Sequence, residues 1–130
     1  MPIYNFKSQF AEAVRSGAKP QTIRARGKRK PPVPGQTAFC YTGLRTQQVC
    51  RLGEYTISAV TPISISSSAR LVRLLSGAAW RDLDDEALER FAKADGFSTV
   101  DDFFNFFRAE HGGTFSGFLI EWRPDSKEGA

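Results

Sequence analysis

The chain is short of the residues on which several familiar chemistries depend. It holds one histidine, His111, and two cysteines, Cys40 and Cys50, in 130 residues. A Ser-His-Asp triad needs that histidine as its base, yet beside Gly112-Gly113 it reads as a cation at a helix end. The cysteines match no common metal or redox spacing and fall in segments that read as strands, so they are expected as small core or surface residues, with neither a metal nor a cofactor. No apolar run approaches the roughly 18–20 residues of a membrane span. The first residues, Met1-Pro-Ile-Tyr-Asn-Phe-Lys7, lack the charged and apolar regions of an export signal, so a cytoplasmic protein without membrane association is expected. Negative charge is the most consequential absence. No acidic residue stands between Glu12 and Glu54, a span that contains Arg15, Lys19, Arg24, Arg26, Lys28, Arg29, Lys30, Arg45 and Arg51. A field of one sign that long favours phosphate-bearing partners over local neutralisation.

What is present describes one globular domain. At 130 residues, with 41% hydrophobic and 25% charged side chains, the chain is large enough to bury a core unaided. Residues 1–80 carry twelve Lys or Arg against two acids and residues 81–130 six against twelve, which is +10 and −6 and sums to the net +4. That asymmetry predicts a basic surface on the N-terminal half, with a solvated basic loop as the plainer alternative.

Periodicity divides the chain into elements. Phe6, Phe10, Ala13 and Val14 recur at helical spacing and Gly17 follows as a left-handed cap, predicting a helix over about residues 5–16. Pro31-Pro32-Val33-Pro34-Gly35 is extended and turned. Thr37–Tyr41, Gln48–Val60 and Ile63–Ile65 read as strands. Asp82 or Asp84 then caps a helix carrying Leu83, Ala87, Leu88 and Phe91, a role that accounts for the acids at 82–86 better than cation binding does. Ser98 and Asp101 resemble a capping box for a second helix, striped by Val100, Phe103, Phe104 and Phe107, with Phe106 off the stripe. Gly112-Gly113 ends it, and Thr114–Trp122 reads as a closing strand with Phe118, Ile120 and Trp122 on one face.

Five of these segments, in this order, resemble the ASCH domain family. They are Gly17-x-Lys19-x-x-Thr22-x-Arg24 after a short helix, Pro34-Gly35 before a strand, Tyr41-Thr-Gly-Leu-Arg45, Ala92-x-x-Asp95-Gly96-Phe97 at a helix end, and Phe118-Leu-Ile-Glu-Trp122 as the last strand. The chain looks most like the small stand-alone members of bacterial and phage genomes. The resemblance implies an α+β fold, a PUA-like β-barrel with flanking helices, over residues 1–124, with a disordered tail at 125–130 and a monomeric state favoured. It also implies RNA or a nucleoside-like ligand, held in a cleft beside the Lys-x-x-Thr-x-Arg loop.

Some family members are ribonucleases and some remove the acetyl group of N4-acetylcytidine with a Lys, a Thr and a Glu. Lys19 and Thr22 match the first two, and Asp95 falls at the third position, one methylene shorter. Such a trio has a chemical logic: a hydroxyl needs a base to become a nucleophile, a lysine serves if neighbouring cations or burial favour its neutral form, and a carboxylate orients it or passes a proton to the leaving amine. Arg24, Arg26, Lys28, Arg29, Lys30 and Arg45 are then the phosphate contacts, and Tyr41 the aromatic suited to a cleft edge. Two plainer readings stand beside these. In one, Lys19 and Thr22 simply begin a strand and pair with Asp95 as a surface ion pair; in the other, the basic face meets an acidic protein of a phage or its host.

Overall fold

Local sequence and long-range pairing together set the elements of the computed structural model, which describes residues 2–123. Ten elements follow one another: β1 (Ile3–Phe6), α1 (Ser8–Ser16), β2 (Gln21–Ala25), β3 (Thr37–Thr42), β4 (Cys50–Ser66), β5 (Leu71–Ser76), β6 (Ala79–Asp82), α2 (Asp85–Ala94), α3 (Val100–His111) and β7 (Thr114–Trp122). The fold is mixed α+β, with three helices and a seven-stranded sheet among the described residues. The strand order is β1-β3-β4-β5-β6, with β7 paired to β2 and β4. β1 and β6 end that path, so the pairings do not close the expected barrel. The expected tail at 125–130 lies outside the described residues.

Two compact units share the chain. The first is built from the described parts of Met1–Thr22, Pro32–Val60 and Ile120–Ala130, the second from Ile23–Pro31 and Thr61–Leu119.

In the first unit, β1 runs parallel to β3, with Ile3 opposite Phe39 and Phe6 opposite Thr42, and β3 runs antiparallel to β4 with an irregularity between Cys40 and Tyr41. The helix expected from residue 5 therefore begins three residues later. Tyr4 and Phe6 are buried while Ile3 and Asn5 are exposed, an alternation that only a strand produces. α1 buries Phe10 and Val14, each contributing about 1.5–3 kcal/mol, and ends at Gly17, whose φ of 89° suits a residue without Cβ. The Tyr55 hydroxyl donates to the Val14 carbonyl at 2.6 Å, sharing that acceptor at the helix end with the Gly17 amide. The Tyr55 ring stacks on Trp122 at 5.5 Å.

Phenylalanines dominate the core of the second unit. Phe103 sits at 1% exposure with rings of Phe91, Phe97, Phe104 and Phe107 around it at 4.9–5.7 Å. Asp84 caps α2 by accepting from the Ala87 amide at 2.8 Å, which settles the choice between Asp82 and Asp84 and occupies the acid cluster structurally. α3 is capped by Thr99, which accepts from the Asp102 amide, one residue beyond the expected Ser98–Asp101 pair. β4 continues to Ser66 through Pro62, and the β5–β6 hairpin occupies a stretch in which no strand was expected. On β7 the expected single face is broken. Phe115, Gly117 and Leu119 are buried, then Ile120 and Trp122, while Phe118 is half-buried, so the inward parity switches where the strand passes from one unit to the next. A Cβ at Gly117 would lie 2.2 Å from the Arg24 carbonyl oxygen, so β2 and β7 approach as closely as they do only because that position has no side chain.

Candidate functional site

Four polar or charged side chains are buried among the described residues: Lys19 (4% exposed), Gln21 (5%), Thr22 (3%) and Asp95 (4%). Three of them belong to one four-residue stretch, residues 19–22, that runs from the α1–β2 connection into the start of β2. The local fold explains how they reach the interior. After the left-handed turn at Gly17 the chain doubles back, and the Lys19 amide donates to the Ala13 carbonyl at 2.9 Å. The Pro20 carbonyl accepts from the Trp122 amide at 3.1 Å, and β2 starts at Gln21. The segment is thus tied at both ends, and its side chains turn inward rather than into solvent.

The Lys19 ammonium lies 5.1 Å from the Phe10 ring centroid and 5.8 Å from that of Phe6. Ring faces attract a cation and exclude water, so this charge is held in an apolar aromatic setting. Burying an ammonium is costly, and the surroundings that folding gathers around it must offset the lost hydration. Phe6 also meets Trp122 edge-on at 6.5 Å. Among the described residues, the one buried side-chain nitrogen or oxygen without a hydrogen-bond partner is Trp122 Nε1. A buried indole N–H usually finds an acceptor, so this donor is chemically available within the first unit.

The expected site residues divide between the two units. Lys19, Thr22, Tyr41 and Arg45 belong to the first, and Arg24, Arg26, Lys28, Arg29, Lys30 and Asp95 to the second. Tyr41 is half-buried on β3, and Arg45 is exposed in the β3–β4 connection with a φ of 67°. Arg24 is half-buried on β2, whereas Arg26, Lys28, Arg29 and Lys30 are all exposed. The Arg26 guanidinium lies over the Phe118 ring at 4.8 Å. Asp95 closes α2 as its C-terminal cap residue. With Lys19 and Asp95 each 4% exposed, the reading of these two as surface groups fails.

Two residues escaped the sequence reading. Gln21 sits between two motif positions, and its place at the start of β2 was the available signal. Trp122 was read as a residue of the closing strand, and its unpartnered N–H has no sequence signature. On the same strand, burial raises the Glu121 carboxyl above its ordinary range. Burial, and secondarily the Cys40 thiol, raises the Tyr55 hydroxyl, which therefore stays protonated as the donor to Val14. Cys40 is buried, Cys50 is exposed, and neither forms a disulfide. Among the described residues no group of three or more His, Cys, Asp or Glu side chains is placed to hold a metal ion, and no helix is long and apolar enough to cross a membrane.

No family model matches the chain, and neither a curated protein nor a solved structure matches it.

Proposed function

We propose that this chain binds RNA or a nucleoside-like ligand through its Lys-x-x-Thr-x-Arg segment, in the manner the ASCH resemblance implies. One observation carries the reading: Lys19, Gln21 and Thr22, drawn from one stretch of four residues, are three of the four buried polar side chains among the described residues. An ammonium, an amide and a hydroxyl supply donors and acceptors for the edge of a base or a sugar. Trp122 Nε1 adds a donor in the same unit. The exposed cations at Arg26, Lys28, Arg29 and Lys30 suit the phosphates of a longer chain.

Binding of single-stranded RNA measured across salt concentrations tests this. Affinity is expected to fall steeply with salt, with Lys28, Arg29 and Lys30 changed together to Ala reducing the log–log slope by roughly two units. Thr22→Val keeps the side-chain shape, removes the hydroxyl and is expected to weaken nucleoside binding about tenfold while leaving the fold intact. A salt-insensitive or absent interaction overturns the proposal.

A second reading, amide hydrolysis, is favoured by the burial of an amine and a hydroxyl three residues apart, away from bulk water. Incubation with N4-acetylcytidine is expected to release cytidine and acetate, with Lys19→Ala and Thr22→Ala inactive. Unchanged substrate leaves binding as the function.

A further inference from the structure

The sheet of the second unit presents a solvent-facing row that the sequence reading assigned no chemistry. Pairing places Ser64 opposite Arg73 and Arg73 opposite Asp82, so these three side chains share one face, while Ile63, Ile65 and Val72 lie buried on the other. Trp80, two residues before Asp82, stands on the same face as the row. It is 48% exposed on β6, a strand whose four residues are all exposed. An indole left in water on an edge strand does nothing for the core, and such exposure marks a contact surface.

A depression of about 240 Å³ opens beside it, lined by Arg26, Ile63, Ser64, Arg73, Trp80 and Ser116. Ser116 shares its face of β7 with Phe118, on whose ring the Arg26 guanidinium lies. The depression thus combines one open indole face, two guanidinium groups and two hydroxyls. Arg73 is paired with Asp82 at 2.7 Å, but both are about half exposed, and such a pair gives way to a phosphate at little cost. Lys28, Arg29 and Lys30 belong to the same unit and are exposed.

We infer that this face is a platform for single-stranded nucleic acid, with a base stacked on Trp80 and the flanking phosphates held by Arg26 and Arg73. Ser64 and Ser116 donate to phosphate or sugar oxygens. Aromatic faces interleaved with cations are what sequence-tolerant single-strand binding uses. A protein partner is the poorer match, because the core of a protein interface is a broad apolar area, whereas this patch is one ring set among hydroxyls and guanidinium groups. The inference rests on the polyanion reading of the basic loop and adds the surface on which bases would sit.

Trp122 is 3% exposed and Trp80 half exposed, so of the two indoles only Trp80 offers a ring face on which a base can stack. Titration with an oligouridylate of about ten nucleotides is expected to quench the fluorescence of Trp80, and Trp80→Ala to weaken binding about tenfold or more, with Trp80→Phe retaining most of it. Trp80→Ala is expected to fold, because the residue lies outside the core, and circular dichroism checks that. Arg26→Gln and Arg73→Gln are each expected to lower the salt slope by about one. Unchanged affinity in Trp80→Ala, or equally tight binding of a duplex of the same length, overturns the platform. If Trp80→Ala changes nothing while the Lys28, Arg29 and Lys30 variant still flattens the salt slope, the loop keeps its phosphate role and the platform alone falls.

Discussion

The two units use burial in different ways. In the first, the interior holds an ammonium, an amide, two hydroxyls and an unpartnered indole N–H among its aromatic side chains. In the second, phenylalanines lead the interior, Asp95 is its one buried charge among the described residues, and its cations are exposed apart from the half-buried Arg24. The difference teaches where to look for chemistry. Polar groups that folding has desolvated are held in fixed orientations where each interaction is strong, whereas exposed cations bind any polyanion and are screened by salt.

Three measurements break or sharpen that contrast. The largest effect is expected from Phe103→Ala in the second unit. Four neighbouring rings cannot close the space it leaves, and denaturant unfolding should show a loss of about 4 kcal/mol. A loss below about 1 kcal/mol would mean that this core is not packed as described. In the first unit, Tyr55→Phe deletes one hydroxyl and leaves the Val14 carbonyl without that donor. The expected cost is about 1–2 kcal/mol by the same measurement, and no change would show that this buried hydrogen bond does not support α1.

The smallest effect belongs to Glu121. Its carboxyl is raised by burial, so the protonated form is favoured in the folded state. Its contribution is full below the ordinary carboxylate range and is lost as pH rises through the raised value. Glu121→Gln removes that dependence. Thermal midpoints should therefore rise relative to the parent at about pH 8 and differ little at about pH 3.5, and the reverse order would contradict the assigned burial.

Much of the fold was legible where a local signal acts alone. Gly17, Asp84 and Gly112 mark helix ends because caps are read within a few residues. The Phe103, Phe104 and Phe107 stripe is buried as its period requires. The failures have a physical pattern. β1 was absorbed into α1 because four residues cannot separate one period from another, and its hydrogen-bond partner, β3, lies more than thirty residues away. The β5–β6 hairpin was missed although Ser76-Gly77 is a turn signal, and with it Trp80 and Arg73, which acquire meaning only once Ser64, Arg73 and Asp82 fall in register. Sheet closure was expected from resemblance, and the strand order leaves β1 and β6 as ends.

The order of charge along the chain, by itself, determined that a run of cations would lie between Glu12 and Glu54 with no acid among them, because formal charge needs no fold to be counted. Depth was decided only by tertiary structure. Lys19 and Lys28 are the same residue type nine positions apart, yet one lies at 4% exposure between aromatic rings and the other is in water. Burial belongs to the neighbours that folding gathers around a side chain, and no property of the side chain alone contains it.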